Sequence, residues 1–257
     1  MKTQKPQNKR KRKFLLIPLL LLLVLVCAMG IYLGSFYHAS EDAMAVAAAA
    51  PLTAELNGQQ VLIYGPEEAF CQDVTDTALI LYPGGKVWYE AYAPLCSKLA
   101  ERGILCALVE MPFNLAVFDM DAADDVMTLL SENFGCTDFY LGGHSLGGAM
   151  ACAYAADAAG KLQGLVLLGA YSASDLSATA LRVLSIYGSE DGVLSREKYE
   201  ENLKNLPEDF TELVIQGGCH SYFGDYGHQK GDGEPTLTRA EQLDQTADAI
   251  ADWLETA

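Results

Sequence analysis

A serine stands between glycines where an apolar segment gives way to small residues. The segment 138–144 is typical of a buried strand, and Ser145 follows it directly. Gly143 and Gly147 complete the pattern G-x-S-x-G, in which a tight strand-to-helix turn exposes the serine hydroxyl. Glycine is needed on both sides, because a side chain there would collide with the neighbouring strand or helix. The motif predicts a nucleophilic serine.

Later loops supply the partners that such a serine needs. An unassisted hydroxyl is a weak nucleophile, so an imidazole must accept its proton and a carboxylate must orient that imidazole. The loop after one predicted strand carries Glu190 and Asp191, and the loop after the next carries His220. Because reactive groups gather at the carboxyl ends of parallel strands, we expect Ser145, His220 and one carboxylate to meet there.

The alternatives to these roles are structural. Ser145 could act only as a helix N-cap, since serine is favoured at that position. His144 adjoins the serine, but its side chain is expected to point away and to pack at the strand end. His228 lies in a polar loop and is the alternative base, while His38 is too near the apolar N-terminal segment. Among the four histidines, the sequence therefore favours His220 as the base.

Two backbone N–H groups are predicted to bind the oxyanion formed when a serine attacks a carbonyl. One is that of Leu146, which follows the nucleophile and opens a helix whose dipole helps. The other comes from the glycine-containing loop 83–87, where Gly85 is the expected donor because a glycine backbone can approach a substrate closely.

Side chains after other strand ends are candidates for substrate binding. Trp88, Phe113 and Phe223 could line an acyl or alcohol pocket, although aromatic residues at such positions are as often part of the core. Lys86 could attract a substrate carboxylate at the pocket mouth, and its alternative is a solvated surface charge.

From Thr77 onward, short apolar segments alternate with longer amphipathic ones, which predicts an α/β fold. Continuously apolar strands are typical of a mostly parallel sheet with helices on both faces. The predicted strands are 60–64, 77–82, 104–110, 138–144, 165–168, 182–187 and 212–216, and the predicted helices are 88–102, 121–133, 146–159, 196–206 and 238–255. The gap between Leu168 and Arg182 is too short to hold a large lid.

The N-terminus has a different composition from the rest. Residues 1–13 carry seven basic and no acidic residues, and 14–34 form an apolar segment long enough to cross a bilayer. Basic residues before the span predict an uncleaved signal anchor, with a basic cytoplasmic tail and an extracytoplasmic catalytic domain in the cell membrane. The alternative is a cleaved signal peptide. Residues 35–59 are predicted to be a stalk, and 60–257 to be the catalytic domain.

Charge and cysteine usage exclude other classes of protein. The formal net charge is −17, and residues 14–257 hold only 10 of the 17 basic residues against all 34 acidic ones. Nonspecific nucleic-acid binding needs clustered Lys and Arg, so we expect none. The seven cysteines form no C-x-x-C pair, so no zinc site is predicted. We expect neither a metal nor a cofactor, and disulfide pairing and oligomeric state stay open.

Four short motifs resemble those of the α/β-hydrolase superfamily, in its compact dienelactone-hydrolase-like branch. They are Tyr-Pro-Gly-Gly-Lys-Val at 82–87, Gly-His-Ser-Leu-Gly at 143–147, Gly-Ser-Glu-Asp at 188–191 and Gly-Gly-Cys-His at 217–220. The resemblance covers residues 60–256 and implies an α/β-hydrolase fold with Ser145 as nucleophile, His220 as base and Asp191, rather than Glu190, as acid.

Two departures limit what the resemblance implies. Dienelactone hydrolases proper use a cysteine nucleophile, so their lactone substrate does not carry over. The usual His-Gly of the oxyanion loop is Pro83-Gly84 here. The resulting hypothesis is a serine hydrolase of small-molecule carboxylic esters (EC 3.1.1). The alternatives are a noncatalytic binding domain with the same fold, or an acyltransferase.

Overall fold

The computed structural model describes residues 8–71 and 75–256, and within its first helix it leaves out the side chains of residues 8–16 and 19. The chain divides between Phe36 and Tyr37 into two compact units. Helix α1 (Asn8–Gly34) belongs to the first.

No helix among the described residues has the length and apolar character needed to cross a membrane. The transmembrane helix predicted over 14–34 is therefore not shown. Of the predicted basic tail, residues 1–7 lie outside the described residues.

The second unit is built on one sheet. Its strands are β1 (Leu52–Leu56), β2 (Gln59–Tyr64), β3 (Thr77–Tyr82), β4 (Leu105–Val109), β5 (Asp138–His144), β6 (Gly164–Leu168), β7 (Arg182–Gly188) and β8 (Phe210–Ile215). Their spatial order is β1-β2-β4-β3-β5-β6-β7-β8. The pairs β1–β2 and β2–β4 are antiparallel and the remaining pairs are parallel, which confirms the mostly parallel sheet.

Helices cover both faces of the sheet, as expected. Successive β3 residues belong to different cores, because strand side chains alternate between faces. Ile80 packs on the side of α4 (Ala122–Phe134) and α5 (Leu146–Ala158). Leu81 packs on the side of α2 (Glu41–Ala48), α3 (Ala93–Ala100) and α7 (Arg239–Glu255). The remaining helix, α6, spans Arg196–Asn202.

The boundaries differ from the predictions at two helices. The predicted helix 88–102 begins as a 3₁₀ turn over Tyr89–Tyr92 and becomes α-helical only at Ala93. The predicted helix 196–206 ends at Asn202 and continues as a 3₁₀ turn. Residues 169–181, which join β6 to β7, contain no helix. This agrees with the absence of a large lid there.

The predicted stalk over 35–59 differs from the structure, because the second compact unit begins at Tyr37. Helix α2 buries Ala43 and Ala47, and β1 pairs with β2 along its whole length. Ser40 caps α2 by accepting the Ala43 N–H (3.0 Å), and its hydroxyl donates to the Asp225 carboxylate (2.6 Å). An alanine-rich segment resembles a spacer in composition, but here its small side chains allow close packing.

Candidate active site

The backbone at Ser145 has the geometry of a strained turn. Its φ of 53° and ψ of −119° lie in a region that side-chain-bearing residues rarely adopt, at a cost of about 1–3 kcal/mol. The flanking glycines are required by close backbone contacts. A Cβ on Gly143 would lie 2.4 Å from the carbonyl carbon of Gly147, and one on Gly147 would lie 2.4 Å from the Pro83 oxygen. The turn places Ser145 at the start of α5.

His220 and Asp191 form a buried hydrogen-bonded pair. The distance from His220 Nδ1 to Asp191 Oδ2 is 2.8 Å, and the other carboxylate oxygen accepts the N–H groups of Val193 (2.9 Å) and Leu194 (2.8 Å). Because a carboxylate can only accept, Nδ1 carries the proton and Nε2 is left as an acceptor. Nε2 is buried and has no hydrogen-bond partner within the described part of the chain.

The second carboxylate of the acid loop lies elsewhere. Glu190 is exposed, and its side chain accepts a hydrogen bond from Ser189 Oγ (2.9 Å). Gly169 lies beside the buried pair, where a Cβ would come within 2.9 Å of His220 Nδ1 and 3.2 Å of the Asp191 carboxylate. Among the two candidates, Asp191 is therefore the carboxylate that contacts His220.

His144 packs behind His220, with ring centroids 4.4 Å apart. The hydroxyl of Tyr92 accepts the N–H of Gly84 (2.9 Å) and lies 2.8 Å from His144 Nδ1. Because no other acceptor for the Tyr92 hydroxyl proton lies among the described contacts, that proton is donated to Nδ1. The imidazole proton of His144 then lies on Nε2, which has no hydrogen-bond partner among the described residues. Burial, reinforced by the nearby His220, holds the pKa of His144 well below its ordinary value of 6.5. His144 is a neutral, packed residue at the strand end.

The predicted oxyanion donors adjoin each other. A Cβ on Gly85 would lie 2.7 Å from the Leu146 side chain, and Leu146 opens α5, where the helix dipole favours negative charge. The Gly84 N–H already donates to the Tyr92 hydroxyl, so it is not available to bind an oxyanion. Within the described ranges, the N–H groups of Gly85 and Leu146 donate no hydrogen bond to the protein. Both are therefore available for a developing oxyanion.

A cavity of about 360 Å³ lies beside Ser145, and neither Gly85 nor Asp191 is among the residues that line it. Ser145, Leu146 and His220 line it together with mostly small or apolar residues. The remaining lining residues are Ala149, Gly169, Ala170, Tyr171, Val193, Leu194, Ser195 and Lys198. Sequence reasoning missed Tyr171 and Lys198, because neither directly follows a strand or carries a motif.

The four residues predicted to bind substrate do not line this cavity. Phe223 is fully buried and packs against the His144 ring at 5.6 Å, so it supports the site from within the core. Phe113 is 60% exposed and meets the Phe118 ring edge-on. Trp88 packs against Tyr89.

Lys86, the fourth, has a positive φ of 62°, and its N–H donates to the Asn114 oxygen (2.7 Å). Its backbone therefore shapes the oxyanion loop, while its side chain is not part of the cavity wall. The alternative base, His228, is exposed in its loop. Among the described residues, no cluster of His, Cys, Asp and Glu could hold a metal ion.

Comparison with known proteins gives a family and a fold. The model of the Alpha/beta hydrolase family matches residues 78–244. No curated protein matches the chain significantly. Among solved structures, Est1E from Butyrivibrio proteoclasticus has 14% sequence identity and a TM-score of 0.60, with 80% of this chain and 97% of that chain covered.

Two further structures are similar at comparable levels. An alpha-beta serine hydrolase homologue from Coxiella burnetii has 14% identity and a TM-score of 0.54, covering 77% of this chain and 96% of its own. A membrane phospholipase A, described as a bacterial virulence factor, has 13% identity and a TM-score of 0.56, covering 95% of this chain and 98% of its own. At these identities, the similarity shows the fold alone.

Proposed function

Since the chain belongs to the alpha/beta hydrolase family, we propose that it hydrolyses carboxylic esters through a Ser145–His220–Asp191 triad. One observation carries the proposal. His220 lines the same cavity as Ser145, Asp191 holds its Nδ1–H, and its Nε2 has no partner among the described residues. An imidazole in that state is ready to accept the proton of a serine hydroxyl.

The reaction proceeds in two halves. Ser145 Oγ attacks the ester carbonyl carbon while His220 Nε2 takes the hydroxyl proton, and Asp191 stabilises the imidazolium that forms. The N–H groups of Gly85 and Leu146 bind the oxyanion, and loss of one such donor typically costs about 10²–10³ in kcat. Collapse of the tetrahedral intermediate expels the alcohol, which receives the proton from His220. Water, deprotonated by His220, then attacks the acyl-enzyme carbonyl. Collapse of this second tetrahedral intermediate releases the acid and returns the proton from His220 to Ser145 Oγ.

The cavity supports small or accessible substrates. At about 360 Å³, it is near the lower end of the usual range for small-molecule sites. No helix inserted between β6 and β7 covers it, so a substrate reaches Ser145 without the opening of a helical lid at that position. Short-chain esters are therefore the favoured class.

A fluorophosphonate probe and p-nitrophenyl acetate test the proposal. We expect the probe to label Ser145, and Ser145→Ala to lower kcat by more than ~10³-fold. Ser195→Ala is the matched control, since Ser195 lines the same cavity but caps α6, and it should keep its activity. Unlabelled protein that hydrolyses no ester would indicate a binding domain instead. Acyl transfer to added alcohols in preference to water would indicate an acyltransferase.

We further propose that the N-terminal segment anchors the catalytic unit outside the cytoplasm by a single membrane pass. Support comes from the sequence: seven basic residues lie in 1–13, and an uncharged segment follows them. The test is cell fractionation with protease protection. Recovery of the protein free in the medium, with a mature start near Ala43, would contradict the anchor.

A further inference from the structure

The loop that precedes α7 places one carboxylate between the acid and base loops. Asp232 Oδ1 accepts the N–H of Gly192 (3.2 Å) and the N–H of His220 (3.0 Å). Its Oδ2 accepts both the N–H and the hydroxyl of Ser221, each at 2.7 Å. Because Gly192 directly follows Asp191, this side chain contacts the backbone of the loops that carry both members of the buried pair.

The carboxylate is stabilised in its charged form by these contacts. Asp232 is partly buried, which disfavours the charge, but hydrogen bonds from Ser221, His220 and Gly192 outweigh burial and lower its pKa below the ordinary value. Asp232 forms no ion pair within the part of the chain that is described. The N–H and O–H donors of the catalytic loops therefore stabilise the ionised carboxylate of Asp232.

Close backbone contacts hold the same three segments together. A Cβ on Gly192 would lie 2.6 Å from the Gly231 oxygen, and one on Gly233 would lie 2.0 Å from the Glu190 oxygen. Both neighbours are backbone atoms, which cannot move aside as a flexible side chain could. The segment 231–233 is therefore in direct contact with the acid loop.

Direct hydrogen bonds also join the two catalytic loops: the Glu190 N–H donates to the Gly218 oxygen (2.8 Å), and the Gly217 N–H donates to Ser189 Oγ (2.8 Å). A glycine lies at the entrance to each loop: Gly188 is the last residue of β7, and Gly217 is the second residue after β8. Glycine restricts the backbone least.

Gln242 fixes the base loop through both the N–H and the oxygen of Cys219 (2.9 and 2.8 Å), but these bonds do not reach the acid loop. The bonds from Asp232 add a further connection between the two loops, through Gly192 on one side and the N–H of His220 itself on the other.

We propose that Asp232 is a positioning residue for the catalytic pair. It holds the His220 and Asp191 loops in the spacing at which the imidazole and the carboxylate are hydrogen-bonded. It touches neither the substrate nor a reacting atom. The inference rests on the proposed function, because it assigns Asp232 a role only through His220.

The test compares Asp232→Asn with Asp225→Asn in the full chain. Asparagine keeps the shape but replaces one acceptor oxygen with a donor, so it cannot accept on both sides. Asp225 lies in the same loop, but it binds Ser40 and Arg239 instead of the catalytic loops. We expect both variants to lose thermal stability, while only D232N loses kcat, by ~10²-fold, with little change in KM.

A second background separates positioning from general loosening of the fold. With His220 replaced by alanine, adding D232N should leave the residual ester hydrolysis unchanged, because Asp232 acts through that imidazole. Equal kcat losses in D232N and D225N would overturn the proposal. So would a loss of residual activity on adding D232N to H220A that is as large as the loss D232N causes in the wild type. If D232N does not fold, Ser221→Ala removes one of its hydrogen bonds and should lower kcat several-fold. An unchanged kcat would overturn the proposal there too.

The wild-type protein distinguishes the two proposals. If it takes up no fluorophosphonate and hydrolyses no ester, the proposed function fails. If the wild type is labelled and hydrolyses esters, and D232N is as active as the wild type, only the positioning role fails.

Discussion

A single hydroxyl group determines two properties of the site. Tyr92 is fully buried, and its OH lies between the Gly84 amide and His144 Nδ1. By accepting from Gly84 it leaves Gly85 as the available amide of that loop. By donating to His144 it sets the tautomer of the imidazole that packs against His220. Both effects follow from a hydroxyl that donates one proton while also accepting one.

Tyr92→Phe is expected to destabilise the protein without leaving a cavity. It would leave the Gly84 N–H and His144 Nδ1 buried and unpaired, at about 1–3 kcal/mol for each unsatisfied group. Urea denaturation measures the change in the free energy of unfolding. Tyr226→Phe is the control, because the partner of its hydroxyl, Gln229, is only partly buried. Equal stability of Y92F and the wild type would contradict the hydrogen-bond assignment.

At the scale of elements, the junction of β5 and α5 depends on three glycines. A Cβ on Gly143 would meet the backbone of Gly147 and Gly148, and a Cβ on Gly148 would lie 2.6 Å from the Gly143 oxygen. The strand and the helix therefore contact each other backbone to backbone immediately around Ser145. This contact holds the serine at its positive φ, since the chain on both sides has no room to relax.

Gly143→Ala is expected to lower the melting temperature and to reduce labelling by the fluorophosphonate. Its Cβ would lie within 2.5 Å of two backbone atoms, and overpacking of this kind costs about 1–3 kcal/mol or more. Gly160→Ala is the matched control, because its Cβ would meet nothing within 4 Å. That substitution should be neutral or stabilising by up to ~1 kcal/mol. Similar melting temperatures for the two variants would contradict the contact.

For the whole molecule, the boundary of the folded unit lies well before the first predicted strand. Tyr37 pairs with Val87, the last residue of the oxyanion loop, and Ser40 connects α2 to Asp225. The antiparallel β1 covers the outer edge of β2, which would otherwise expose unpaired backbone groups. The segment between the apolar helix and the sheet is therefore part of the catalytic unit.

Two truncations test this boundary. A chain that starts at Tyr37 should unfold cooperatively and keep the activity that the full chain shows, because it retains the whole second unit. A chain that starts at Gln60 loses α2 and β1, so it should unfold at lower urea concentration and aggregate through the exposed edge of β2. Circular dichroism and light scattering measure both. Equal stability of the two chains would show that 37–59 is a stalk after all.

The sequence predicts the site residues that strand ends position. It does not predict the roles of residues whose partners lie far away in the sequence. The order of Ser145, Asp191 and His220 was readable, because parallel strands bring their carboxyl ends to one edge. Phe223 also follows a strand end, but its loop turns the ring into the core. The roles of Tyr92 and Asp232 arise from loops packed against each other. Neither carries a local pattern that would indicate its partners.

The state of His144 simplifies the acid-base behaviour expected of this site. Two imidazoles packed 4.4 Å apart would ordinarily have coupled titrations, with apparent pKa values that belong to the pair. Here His144 does not take up a proton near neutral pH, because its pKa lies well below 6.5 and Tyr92 already donates to its acceptor nitrogen. Its imidazole therefore stays neutral there. The dependence of kcat/KM on pH should accordingly show no ionisation from His144 in that range.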